Sequence, residues 1–107
     1  MKRGEVWWVT FESAQGGEVR KERPALIISN DAANKHLNRV QVVPLTSIVK
    51  HLFPSEALVT VRAKKHKAMA DQLTTVAKSR LKNRVGRLSR SEIKAVEQAI
   101  RIQLEIT

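Results

Sequence analysis

Residues 21–29 read KERPALIIS, and the change of character in the middle of this stretch decides the fold. Lys21, Glu22 and Arg23 are charged; Pro24 then opens an uninterrupted apolar run. A proline fixes its own φ and removes a backbone donor. It also drives the residue before it toward extended backbone. Pro24–Ser29 is therefore predicted as a strand buried on both faces, with Arg23 held in a defined pose at its entrance. Such an arginine is either an ordinary strand-entry charge or an aimed guanidinium.

The neighbouring segments supply partners for that strand. Glu5–Phe11, EVWWVTF, is rich in β-formers and reads as a first strand. Glu12–Glu22, with Gly16-Gly17 at its centre, is expected as a mobile loop or hairpin tip. Asn30–Asn38 opens with turn residues and carries a helical turn. Arg39–Thr46, RVQVVPLT, alternates, with Pro44 expected to end the regular pairing or mark an edge. A loop over Thr46–Ser55 follows, then a strand over Glu56–Ala63. Lys64–Lys67, KKHK, reads as a basic turn. Met69–Leu73 and Arg84–Leu88 read as two more short strands around a segment without a clear pattern. Ser89 and Glu92 form an S-x-x-E capping box ahead of a helix. Its apolar face is Ile93, Val96, Ile100 and Leu104, widened by Ala95, Ala99, Ile102 and Ile106. Short strands at regular spacing with one terminal helix predict a single domain over residues 1–107: a small antiparallel β-barrel or strongly curled sheet.

With 107 residues there is no room for a second core, and 42% apolar residues suffice for one. No apolar run is long enough for a membrane span. The start, MKRGEVWWV, lacks the apolar region of a signal peptide, so a cytoplasmic protein is expected. There is no cysteine, which excludes disulfides and thiolate metal sites. Charge is the functional clue: 20 Lys and Arg against 10 Asp and Glu leave +10. Half of the basic residues fall between Arg62 and Arg90, where Asp71 is the one acid. A polyanionic partner, nucleic acid or an acidic protein, is the direct reading; a merely soluble basic surface is the plain alternative.

Phosphate-loop and dinucleotide glycine motifs are absent, as is the G-x-S-x-G elbow. His36, His51 and His66 stand alone, without a second ligand at helical spacing. They read as solvated loop histidines, the alternative being that two of them form an acid–base pair for RNA cleavage. No metal and no cofactor are expected. RNA brings its own nucleophile, the 2′-hydroxyl, so a base, an acid and a cation over the phosphorane suffice. Glu18, Arg23 and Thr46-Ser47 are such parts, each at a loop or strand end.

The segments RGEVWWVTF, GGEVRKERPALIISND, VQVVPLTS and ADQLTTVAKSRL, in this order from Arg3 to about Leu104, together resemble the MazF/PemK family of toxin endoribonucleases. The resemblance implies an SH3-like antiparallel barrel with a C-terminal helix, acting as a homodimer. It implies metal-independent, sequence-selective cleavage of single-stranded RNA, mRNA above all, leaving 2′,3′-cyclic phosphate and 5′-hydroxyl ends. It also implies a cognate acidic, MazE-like antitoxin that blocks the RNA groove, any association with DNA running through that partner. By position, Arg23 matches the family's catalytic arginine, which implies a stabiliser of the phosphorane and a candidate proton donor to the leaving oxygen. Thr46 matches the threonine that holds the scissile phosphate, and Glu18 the loop glutamate assigned as base in some members. Ser47, Phe11, Gln72, Lys78 and Arg80 match positions that approach RNA. The chain departs from the pattern at Val19, where a glutamine is frequent. Trp7 and Trp8 alternate, one expected in the core and an outward one free to stack on a base. Two other readings accompany this one. A gyrase poison of the same fold would carry Trp-Gly-Ile at its C-terminus, where this chain has Glu105-Ile106-Thr107. A plain nucleic-acid-binding barrel would explain the charge but not the joint occurrence of Arg-Pro, Thr-Ser and Asp-Gln.

Overall fold

A computed structural model describes residues 1–11 and 21–107. Its strands are β1 (Glu5–Phe11), β2 (Lys21–Ile27), β3 (Arg39–Thr46), β4 (Glu56–Val61), β5 (Lys64–Met69), β6 (Thr74–Ala77) and β7 (Leu81–Arg87), with helices α1 (Asp31–His36) and α2 (Arg90–Leu104). Every strand pair is antiparallel. The order is β4-β5-β3-β2-β1-β7, and β6 also pairs with β3. Register shifts between β1 and β7, on either side of Trp7 and Trp8, add the local twist that bulges impose. The sheet curls into a half-barrel with α2 packed across β4, the curled antiparallel form expected from the sequence.

Strand β3 is the centre of the design. One edge lies along β2; the other takes β6 from Arg39 to Val42 and β5 from Leu45. Pro44 sits between those two stretches. The Ile28 N–H donates to the Gln41 carbonyl at 3.0 Å, which makes 28/41 a hydrogen-bonded pair. Alternation then makes Ala25/Pro44 a non-bonded pair. The donor that Pro44 lacks would thus point at the gap between β6 and β5. Pro44 is buried in an interior strand, so it marks no edge, but the regular pairing with β2 does end at it, as the sequence led us to expect.

Both faces of β2 and β3 are covered, as their apolar runs require. One cluster holds Val6, Leu26, Val43, Leu45, Ala57, Val59, Ala68 and, from α2, Val96 and Ala99. The other holds Val9, Ala25, Ile27, Val40, Val42, Val76 and Leu81, with Trp7 and Phe11 packed against it. The capping box of α2 is complete: the Ser89 hydroxyl accepts from Glu92 N–H and the Glu92 carboxylate accepts from Ser89 N–H. Glu92 also accepts from the Thr60 N–H at 2.7 Å, fastening the helix start to β4. Gly4, at φ +93°, lets the helix close in: a Cβ there would stand 2.8 Å from Ile93 Cδ1.

Five expectations change. Lys21 and Glu22, expected in the loop Glu12–Glu22, belong to β2, and the rest of that loop beyond Phe11 lies outside the described residues. Lys64–Lys67 is strand, not turn; the reversal lies at Arg62 and Ala63, whose φ values are 50° and 64°. Ala70–Gln72 is a 3-10 turn rather than strand. The patternless segment contains β6, a second 3-10 turn at Lys78–Arg80, and the start of a longer β7. On α2, Ile93, Val96, Ala99 and Ile100 pack inward, whereas Ile102 and Leu104 are exposed, as is Ile106 beyond the helix end. Among the described residues no helix is long and apolar enough to cross a membrane.

Candidate active site

The β2–β3 ladder stops at Ala25↔Pro44, and the reason lies one residue further. Pro24 falls at the next hydrogen-bonded position, opposite Leu45, and has no N–H to donate. Beyond it, β2 stays with β1 as far as Lys21↔Phe11. β3 instead turns to β5, through Leu45↔Ala68 and Thr46↔Lys67. The strands part, and the wedge between them is a cleft of about 470 Å³.

Its walls come from four strands. β2 supplies Lys21, Glu22, Arg23 and Pro24; β3 and its exit supply Leu45, Thr46, Ser47 and Ile48; β5 supplies Lys64 and His66; β1 supplies Trp8. Three of the expected site residues, Arg23, Thr46 and Ser47, therefore share one cleft. Arg23 is half-buried, and its side chain makes no hydrogen bond or ion pair with a described residue. The Thr46 Oγ1 accepts from the Ile48 N–H at 3.2 Å, so its own hydrogen remains available to an acceptor in the cleft. Trp8 is the outward tryptophan, 37% exposed; its Nε1–H donates to Glu22 Oε2 at 3.2 Å. Trp7 is the inward one and donates to Glu5.

The segment leaving the cleft is held from below. Lys67, paired opposite Thr46, bonds Glu56 at 3.0 Å and the His51 carbonyl at 2.6 Å, and lies 5.7 Å from the Phe53 ring centre. Lys67 is thus a half-buried anchor, not part of a solvated turn. Burial pushes the Glu56 carboxyl up, but the Phe53 N–H and Lys67 pull it further down, to below the usual carboxylate range. Among the described residues no cluster of three His, Asp or Glu side chains could hold a metal ion.

The other expected residues lie elsewhere. Phe11 packs on the second core cluster. Gln72 is exposed in its 3-10 turn and donates to the Met69 sulfur at 3.5 Å. Lys78 lines a separate hollow with Lys2, Trp7, Asp31, Asn34 and Lys35. Arg80 ends the second 3-10 turn and does not line the cleft. Glu18 and Val19 lie outside the described residues. Sequence reading missed Glu22 and Lys64 as cleft residues, and reached Trp8 and His66 only as alternatives, the outward tryptophan and a member of an acid–base histidine pair. The adjacency of Glu22 to Arg23 was a usable signal; nothing in KKHK marks a strand.

Residues 2–104 match the family described as PemK-like, MazF-like toxin of type II toxin-antitoxin system. The chain is 33% identical over 115 residues to Endoribonuclease MazF9 of Mycobacterium tuberculosis, covering 99% of this chain and 98% of the relative. It is 34% identical over 111 residues to Endoribonuclease MazF of Staphylococcus saprophyticus, covering 97% and 91%. Among solved structures, a mycobacterial endoribonuclease in complex with its cognate antitoxin superposes with a TM-score of 0.82 at 23% identity, over 100% of this chain and 97% of that one. MazF from Deinococcus radiodurans gives 0.82 at 23%, over 99% and 97%. At those identities the superpositions speak for the fold.

Proposed function

The chain belongs to the PemK-like, MazF-like toxins of type II toxin–antitoxin systems, and from that membership we propose that it is an endoribonuclease acting on single-stranded RNA, mRNA first, without a metal ion. Support comes from two relatives of more than 30% identity that carry the name endoribonuclease. The observation that carries the reading to residues is the parting of β2 and β3 at Pro24, which sets Arg23, Thr46 and Ser47 around one cationic cleft.

In that cleft the substrate's 2′-oxygen attacks the adjacent phosphorus while its proton passes to a carboxylate, Glu18 by the family pattern. Arg23 lies over the phosphorane and offsets its added charge, a task for which a planar guanidinium with several donors is suited. The Thr46 hydroxyl, oriented by the Ile48 N–H, donates to a non-bridging oxygen, and Ser47 lies beside it. The bond to the 5′-oxygen breaks, that oxygen takes up a proton, and the products are a 2′,3′-cyclic phosphate and a 5′-hydroxyl. A net charge of +10 draws RNA in and makes binding steeply salt-dependent. An acidic antitoxin segment would compete for the same cleft. We assign the working form as a homodimer, for which exposed Ile102, Leu104 and Ile106 offer apolar area.

The test compares wild type with Arg23→Ala on a long single-stranded RNA in EDTA, mapping fragment ends. Discrete cuts with cyclic-phosphate ends, slowed about a hundredfold or more in the variant, support the reading. Wild-type protein that binds the RNA and leaves it intact overturns it.

A further inference from the structure

His66 occupies a position that a solvated loop histidine would not. It lies on β5 opposite Val59, two residues from the fully buried Ala68, on the inward face of the half-barrel, and is 8% exposed. It nevertheless lines the cleft that holds Arg23 and Thr46. Its Nδ1 is 3.1 Å from the Lys64 carbonyl. A carbonyl only accepts, so Nδ1 carries the hydrogen in this bond, and the ring's tautomer and orientation are set by its own strand. Nε2 is left without a partner among the described residues. With Nδ1 held by its own strand, Nε2 is the ring nitrogen left for a substrate in the cleft that His66 lines. The charged groups around it are Lys21, Glu22 and Arg23 from β2 and Lys64 from β5; β1 and β3 contribute none.

We propose that His66 is the proton donor to the leaving 5′-oxygen, an inference that rests on the ribonuclease reading. In its cationic form the ring keeps Nδ1–H on the Lys64 carbonyl and offers Nε2–H to the 5′-oxygen. As the 2′-oxygen bonds to phosphorus and the bond to the 5′-oxygen breaks, the Nε2 proton moves to that oxygen. The ring is left as the neutral Nδ1–H tautomer, the one that the Lys64 carbonyl already holds. Water returns the proton before the next turnover. Arg23 then has only to stabilise charge, a division of labour that suits a group almost never deprotonated in proteins.

The test uses two substrates, an oligoribonucleotide and its counterpart with sulfur in place of the bridging 5′-oxygen at the cut, since a thiolate leaves without being protonated. His66→Asn places an amide N–H where Nδ1 stood, keeping the bond to Lys64 while removing Nε2; His66→Gln provides a second variant of different reach, and thermal midpoints verify that both fold. The expected result is a loss of about a hundredfold on the oxygen substrate and near-wild-type rates on the sulfur substrate. Variants as fast as wild type on both substrates, or equally slow on both, overturn the assignment while leaving the ribonuclease reading standing. Wild-type protein that cleaves neither substrate overturns the ribonuclease reading and this inference with it.

Discussion

The two ends of the β2–β3 pair treat polar groups in opposite ways. At the end near Ile27 they satisfy one another. The buried Asn34 amide donates to the Ser29 carbonyl and to Asp31, and its oxygen accepts from the Ser29 hydroxyl. That hydroxyl in turn accepts from the Gln41 N–H. Arg3 closes the group through the Asp31 carboxylate, the Ile28 carbonyl and, at 2.6 Å, Glu97 of α2. At the other end, beyond Pro24, Arg23 has no such partner among the described residues, and the Thr46 hydroxyl has a hydrogen to spare. A closed network specifies structure; an open one is equipped for a ligand. The difference separates two arginines that sequence composition counts as equal.

The sharpest way to break this contrast is to exchange effects between the ends. Arg23→Ala is expected to lower cleavage by about a hundredfold or more while leaving the thermal midpoint within error. A large loss of stability would mean that the cleft end is structural after all. Asn34→Ala is expected to do the reverse. It strands the Ser29 hydroxyl and carbonyl, costing about 2–3 kcal/mol in a urea titration, with cleavage per folded molecule unchanged. Pro24→Ala probes the border between the regions. A restored N–H facing the Leu45 carbonyl lets the ladder gain a rung and narrows the cleft. Activity should then fall about threefold to tenfold through misplacement of Arg23, with stability held or slightly raised.

The smallest expected effect lies away from both ends, at the capping box. Glu92→Gln should cost about 0.5–1 kcal/mol of stability near neutral pH. Burial raises the Glu92 carboxyl, but N–H donors from Ser89 and Thr60 outweigh it and hold the group below its ordinary range. A depressed carboxylate contributes stability that is present above its unfolded pKa of about 4.3 and is lost as pH falls through the folded value. The wild type should therefore lose stability as pH drops below that range, and the Gln variant should lose less over the same interval. Parallel curves would remove Glu92 from the account.

How much of this could be read from the chain depends on whether a residue's neighbours are local. The capping box announces α2 because Ser89 and Glu92 bond within four residues, and Pro24 followed by an apolar run announces β2. The β4–β5 reversal is silent: Arg62 and Ala63 take positive φ without the Asn-Gly or Asp-Gly signature of such turns. Lys64–Lys67 is strand because Val59 and Val61 lie opposite, a pairing that its own residues do not encode. Leu104 joins the helical stripe in sequence yet stays exposed, since periodicity gives a face and not its cover. At the cleft, Arg23, Thr46 and Ser47 were legible as strand-end residues. His66 was not, because its place is fixed by Ala68 pairing with Leu45 across the sheet.

The seating of β3 in three ladders also has a kinetic side. It must find β2, β6 and β5, the last two arriving from residues well downstream, so loop closure over distant segments precedes much of its reward. Neither side-chain cluster is complete without it, because Val40 and Val42 belong to one and Val43 and Leu45 to the other. Amide protons of Val42 and Val43 are accordingly expected to exchange with deuterium only when the whole domain opens, while those of β4, at the sheet margin, escape through smaller openings.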